Sequence, residues 1–597
     1  MASDFTSRID ALADISQHRL VKILDAVPGR KDIVIESSLM KPLDQFIGAS
    51  VLRNRGIEKI FKLDKTGPQS SNPVLIYMIR SDLITAKIVC NQINSMISTS
   101  QEVKFHVILV PSLLTSIELL FEEEGLYGKV TFHNFSWELL QLDNRILSFE
   151  SPKIYKQLFI DNDQSFLTAI AKSLWSFQHV FGTAPLALYH GKYSNIISTM
   201  IDSFMQEIGE PDKIDPDVGC MLVLDRDVDN ASALLIPGTY TSLVCDVLNV
   251  NTNAVEIKKQ DSEKKELAVS MPLTSEDEIY NQIKNKHFLE VFLYLKYKTN
   301  ELNAEMGRRN NMNIKEMRDF VENDLDKAVN MRKTLSNHIL VCEKVTSQIG
   351  EKFNDLHSCQ KCILDCEGRR KVIADIEDII ATCTDMDLVL RLICLLSLSQ
   401  NGYTLDESNN LKKQFFHAYG YEHILTFHNL ERAGLFLTMQ SFMETTSNLA
   451  SKVAQVVSYP LPKKSQFQVV SQKMKLFPDQ SKGYSLSNPS DPGYVFGGAY
   501  IPLVAQLVNY LIKKEMNLGE LTKLLQGNNV KSEIKWTGKG LDAVPDISPR
   551  CIFVYIVGGI TYAEVAALQL IESRTGCRIL CAGSSIITGN RLVQAAA

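Results

Sequence analysis

Apolar positions in the first 135 residues come as short runs separated by stretches of helical spacing. Asp32–Glu36 (DIVIE), Val74–Ile79 (VLIYMI) and Val103–Val110 (VKFHVILV) are rich in β-branched residues, and Pro28-Gly29 and Pro73 punctuate two of the starts. Helical patterns such as Leu83–Ile93 lie between them. Strands alternating with helices predict a parallel sheet wrapped by helices. The same rhythm resumes near Val130, with a helix over Gln164–Phe181, a strand at Leu186–Tyr189 and the apolar run Cys220–Leu224.

From about Thr274 the period changes to that of long helices. Phe288, Val291, Phe292 and Leu295 share a helical stripe, as do Ile314, Met317, Val321 and Leu325, and then Leu335, Ile339, Cys342 and Val345. Each stripe reads as a core face rather than a cofactor groove. A polar stretch over Thr438–Pro492 reads as loops. Then Cys551–Val557 (CIFVYIV) forms a fully apolar strand, Gly558-Gly559 a turn, and Thr561–Ser573 an amphipathic helix. The expected organisation is an N-terminal α/β domain (1–133) and a middle α/β domain split between 134–245 and 476–597. A helical domain (246–475), with a hairpin near 288–345, is inserted between the two halves. The fold class is α/β plus α.

A chain of 597 residues exceeds what one core holds, which agrees with several domains. The net charge of −6, with no basic run, argues against a nucleic-acid partner. The N-terminal segment carries acidic residues and no long apolar core, so it is not read as a secretory signal. The uncharged stretches Asn230–Cys245 and Cys551–Ala563 are broken by Pro237-Gly238 and Gly558-Gly559, so neither reads as a membrane span. Any membrane role is then peripheral. The twelve cysteines are expected to be reduced. His357, Cys359, Cys362 and Cys366 suggest half a zinc site, but no second half follows. The three cysteines instead fall on one helical face and read as a soft apolar surface.

The candidate chemistry lies in Asp225-Arg226-Asp227-Val228-Asp229, at the end of an apolar strand. Alternate carboxylates at a strand end suit a hard cation that clamps phosphate. The same string also fits a salt-linked corner that orients two domains. Gly497-Gly498, Gly558-Gly559 and His190-Gly191-Lys192 each follow apolar runs, yet no phosphate-loop or dinucleotide fingerprint accompanies them. Hydrolase and kinase motifs are absent from the sequence, and His338 falls in a helical stripe as a packing histidine.

One segment is more specific: Ala418 to Leu435, AYGYEHILTFHNLERAGL. It resembles the SM (Sec/Munc-type) family of SNARE regulators, in its vacuolar protein sorting branch. LVLDRDVD, LSNHILVCE and FVYIVGGITYAEVAAL resemble family segments in the same order, as do PGRKDIVIESSLMKPLD, FEEEGLYG and YVFGGAYIPL. The resemblance implies a three-domain arch with no catalytic chemistry, cofactor or metal, which binds SNARE proteins and promotes their assembly before fusion. It implies structural duty for Asp225, Arg226, Asp229, Gly558 and Gly559. Tyr421, Ile424 and Leu425 are then expected to dock a Vps-sixteen-type tether subunit, unless Tyr421 staples its corner into the core. Met312, Lys315 and Arg318, near the hairpin tip, are expected to contact SNAREs. The implied setting is cytoplasmic, peripheral on late endosomes and lysosomes. The other class left open is a Mg-dependent phosphoryl-transfer or nucleotide-binding protein built on DRDVD.

Overall fold

The β-branched runs of the first 135 residues form a five-stranded sheet. Its strands are β1 (Lys31–Ile35), β2 (Ile57–Lys62), β3 (Val74–Arg80), β4 (Lys104–Val110) and β5 (Val130–Asn134), in the order β2-β1-β3-β4-β5. Every pair is parallel. A computed structural model describes residues 2–98, 103–209, 211, 216–248, 250–260, 266–309, 325–350, 352–366, 368–383, 385–438, 466–478, 485–515, 517–525, 532–536 and 550–597. The central strand β3 is buried from Val74 to Ile79, as a parallel strand covered by helices on both faces should be. β2 escapes the sequence reading because its edge position leaves IEKIFK mostly exposed and without a continuous apolar run.

A second sheet of seven strands unites distant parts of the chain. It contains β6 (Leu140–Asp143), β7 (Ile146–Ser148), β8 (Leu186–His190) and β9 (Val218–Asp225). After the antiparallel ribbon β10 (Val250–Asn251), β11 (Ala254–Gln260) and β12 (Glu266–Pro272), it continues with β13 (Ser532–Trp536), β14 (Cys551–Val557) and β15 (Ile579–Gly583). The order is β13-β8-β9-β14-β15-β7-β6, with β14 parallel to both β9 and β15. β9 and β14 are buried at every residue, which is why both read as unbroken apolar runs.

Between these halves lie the ribbon and a block of helices. The ribbon opens the stretch that the sequence reads as wholly helical. Helix Phe288–Arg309 packs against helix Leu325–Ile349. Phe288, Val291 and Leu295 face the core together with Leu335, Cys342 and Val345. The polar stretch read as loops contains helix Gln466–Lys473, and a 3-10 turn at Pro492–Phe496 begins where that stretch ends. The buried ring of Phe496 and the half-buried Phe467 pack on Tyr500, contacts that polar flanks conceal in the sequence.

Candidate functional site

β9 ends at Asp225, and a 3-10 turn over Arg226–Asp229 follows it. The turn breaks the strand alternation, so the three carboxylates do not gather around one point: Asp227 stays near Asp225, but Asp229 turns away to other protein groups. Asp225 accepts hydrogen bonds from the backbone N–H groups of Tyr193 (2.7 Å) and Ser194 (2.8 Å), at the start of helix Lys192–Glu207. Burial, then the neighbouring Asp227, pushes its carboxyl upward, while the two amide donors pull the other way. Gly191, at φ +132°, lets the chain pass there, since a Cβ would lie 2.2 Å from the Asp225 carboxyl carbon. Asp229 accepts from Ser232 Oγ (2.6 Å), the Leu503 amide (2.9 Å) and Tyr500 Oη (3.2 Å). Asp227 is exposed.

Arg226 does not pair with the aspartates beside it in sequence through a side-chain bridge. Its guanidinium, buried with only 1% of its side chain exposed, meets Glu564 Oε2 at 2.8 Å, and Glu564 is equally buried. It also donates to the carbonyls of Gly559 (3.4 Å) and Asp229. Glu564 closes a capping box with Thr561 on helix Tyr562–Thr575. Gly558 is required by close approach, because a Cβ there would lie 2.7 Å from Phe159 and 3.0 Å from Arg226 Cβ. The corner thus ties β9 to β14 and to the helix after it through the two terminal nitrogens of Arg226, while Arg226 Nε and Glu564 Oε1 stay buried without a partner among the described residues.

A second buried cation holds the helical block to this domain. Arg391 donates to Asp246 Oδ2 (2.6 Å), to Asn590 Oδ1 (3.0 Å) and to the carbonyls of Leu234 and Leu235 (2.9 Å each). The sequence signal was there: a lone arginine in the apolar helix MDLVLRLICLLSLS. Buried charge of this kind needs partners, and here they come from three other segments.

The cysteine cluster does not share one helical face. Cys359 is buried and Cys362 half-buried on helix Lys352–Asp365, but Cys366 lies beyond its end at φ +57° and is exposed. Among the described residues no three His, Cys, Asp or Glu side chains gather as metal ligands. His338 bridges Tyr240 Oη (2.8 Å) and Asp277 Oδ2 (3.1 Å) inside the core. His357 packs on Phe353, and burial, followed by the nearby His287 and Arg391, lowers it to about 4. The unfolded chain protonates this imidazole near pH 6.5, and the folded chain does so only near 4. Stability present above pH 6.5 is therefore lost as pH falls through that window. His357→Gln should then lose about 2 kcal/mol less stability than the parent between about pH 7 and pH 5, read from denaturant melts at both values.

The described surface offers two groups of exposed apolar side chains on the helical block. Tyr421 (62% exposed), Ile424 (55%) and Leu425 (69%) form the first, at the corner between helix Leu405–Tyr419 and helix Ile424–Arg432. Gly420, at φ +115°, terminates the first helix and turns the chain into that corner. Tyr421 touches the rings of Phe416 and His417 from outside. The second group is Leu289, Leu293 and Tyr297, spaced four apart on helix Phe288–Arg309, with Phe292 beside them. Sequence reasoning missed it because this helix is apolar on two faces, and Phe292, assigned to the core stripe, is 41% exposed. Met312, Lys315 and Arg318 lie outside the described residues.

The sequence pattern of the Sec1 family matches residues 31–595. The chain belongs to the Sec1 family. Vacuolar protein sorting-associated protein 33B of Homo sapiens is 31% identical over 98% of this chain and 96% of its own length. The vacuolar protein-sorting-associated protein 33 homolog of Arabidopsis thaliana is 25% identical over 98% and 97%. Among solved structures, the Unc18–syntaxin 1 complex from Monosiga brevicollis superposes with TM-score 0.59 at 15% identity, covering 98% of both chains. The SM protein Vps45 in complex with the Qa SNARE Tlg2 gives 0.57 at 14%, covering 98% of this chain and 97% of that one. This Sec1-family chain therefore has the three-domain arch: two parallel-sheet α/β domains and an inserted helical domain. Among its described residues no helix is long and apolar enough to cross a membrane.

Proposed function

We propose that this chain is a SNARE-binding assembly factor, not an enzyme, that regulates vesicle docking and fusion in endosomal and lysosomal transport. It works with a Vps-sixteen-type tether subunit and reaches membranes through its partners. The single observation that carries the reading is the pair of separate apolar surfaces on one helical block. The Leu289–Leu293–Tyr297 stripe has the spacing that a SNARE helix needs for anchors at every turn. The Tyr421–Ile424–Leu425 corner has the aromatic and aliphatic character of an interface anchor, and we assign it to the tether subunit. Relatives named for vacuolar protein sorting support the transport setting, and fold-mates solved with syntaxin and a Qa SNARE support the SNARE partner.

Pull-downs with two baits on one variant test this reading. Leu293→Asp with Tyr297→Asp should weaken SNARE binding by about tenfold or more while tether-subunit capture persists. Lys315→Glu with Arg318→Glu, the pair that the sequence singles out for SNARE contact, should also weaken SNARE binding. Undiminished SNARE binding in both double variants would move recognition off the hairpin.

Against the phosphoryl-transfer alternative, Asp225 and Asp229 of the DRDVD corner already accept hydrogen bonds from protein donors. Purified protein should show no ATP hydrolysis with Mg²⁺ and no ATP binding that depends on the DRDVD carboxylates. ATP binding near 1 μM, about −8 kcal/mol, with hydrolysis, both lost on Asp225→Asn, would return the enzyme reading to the front.

A further inference from the structure

The C-terminal ends of parallel strands from both sheets open onto one cleft. β1, β2 and β3 end at Ile35, Lys62 and Arg80, while β7 and β15 end at Ser148 and Gly583. Residues just past these ends line a cavity of about 920 Å³. Crevices outside the carboxyl ends of parallel strands are where α/β folds receive small ligands, and this volume suits one.

The cleft is charged against the trend of the chain. The whole sequence has 69 acidic and 63 basic residues, yet among the described residues six cations line the cleft against three carboxylates. Lys41, Lys62 and Arg80 come from the first sheet's side, and Lys153, Lys156 and Arg591 from the second. Among the described residues Lys62 and Lys156 enter no ion pair. Lys41 Nζ is shielded from solvent without a hydrogen-bond acceptor, and its nearest carboxylate oxygen, Glu256 Oε1, is 3.5 Å away. Arg80 is held rigidly, donating to Ser38 Oγ (3.0 Å) and to the Glu150 carbonyl across the cleft (2.9 Å). Cations contributed from both sides of the cleft, with Ser37 and Thr588 also in its lining, suit an anion with several separated charges.

We propose that this cleft is a binding site for a polyphosphorylated small ligand, an inositol polyphosphate or the matching lipid headgroup, which bridges the N-terminal and middle domains. The ligand's phosphates would be met by Lys41, Lys62 and Arg80 from one wall and by Lys153 and Lys156 from the other. Because each wall belongs to a different sheet, occupancy would also stiffen the angle between the two domains.

The test uses the full chain and calorimetry with inositol hexakisphosphate, beside inorganic phosphate and vesicles of phosphatidylcholine with phosphatidylinositol bisphosphate. Binding of the hexakisphosphate should be tighter than that of inorganic phosphate by about a hundredfold, and it should weaken as salt rises. Lys62→Glu with Lys156→Glu should reduce it about tenfold or more. The control Lys327→Glu with Lys371→Glu, at exposed lysines outside the cleft, should leave it unchanged. If the charge reversal impairs folding, seen as a lowered Tm, Lys62→Gln with Lys156→Gln replaces it. Cleft-dependent capture by vesicles supports the headgroup as source, and capture of the free ligand alone supports a soluble one. Equal affinity in cleft and control variants, or no heat for the hexakisphosphate, overturns the proposal. So does cleft-dependent binding of an acidic SNARE peptide without any polyphosphate binding, which would assign the charge to a protein partner.

Discussion

Arg226→Met should destabilise the protein by about 3–5 kcal/mol, because it strands the Glu564 carboxylate in a dry corner with one charged partner gone. The measurement is a denaturant melt of four proteins: the parent, Arg226→Met, Glu564→Gln, and the double variant. Glu564→Gln alone leaves the guanidinium buried beside a neutral amide, although the amide oxygen still serves the Thr561 capping box. The double variant should be more stable than Arg226→Met, since neither charge is then left without its counterpart, and the coupling should amount to about 2 kcal/mol or more. Simple additivity of the two single changes would show that the pair does not act as a unit. A parent-like melt for Arg226→Met combined with total loss of partner binding would show that this corner is itself a contact surface.

Tyr421→Asp and Ile424→Lys should each abolish capture of the Vps-sixteen-type subunit while leaving the melt within about 0.5 kcal/mol of the parent. Both side chains are more than half exposed, so the isolated fold loses little when they change. In a desolvated interface the new charge costs several kcal/mol, which is a hundredfold or more in affinity. Co-purification with a tagged partner subunit reads the first effect and thermal melting the second. Normal capture by both variants would remove this corner from the interface, and a collapsed melt would mean that Tyr421 staples the corner into the core.

How much of this was legible depended on whether the signal was local. β3, β9 and β14 were visible as unbroken apolar runs because each is buried on both faces. The corner at Asp225 was visible as chemistry, but its meaning was not. Arg226 finds Glu564 across 338 positions, and no periodicity reports a pair that far apart. The Cys366 assignment failed because three cysteines at helical spacing say nothing of where the helix stops, and it stops one residue earlier. The Leu289, Leu293 and Tyr297 stripe was hidden by its neighbours, since a helix that is apolar on two faces does not declare which face is buried.

The seven-stranded sheet also sets a schedule for biosynthesis. Its strands β9 and β14 lie side by side, yet Asp225 and Cys551 are separated by the ribbon, the helical block and the segment that follows. While the chain emerges from the ribosome, β9 has one neighbour, β8, and an open edge where β14 will lie. That apolar edge must wait until nearly all of the protein has been translated, a long contact order that slows folding and exposes the nascent chain to aggregation and chaperone capture. A premature stop shortly before residue 550 would thus remove two interior strands, β14 and β15, rather than trim a periphery.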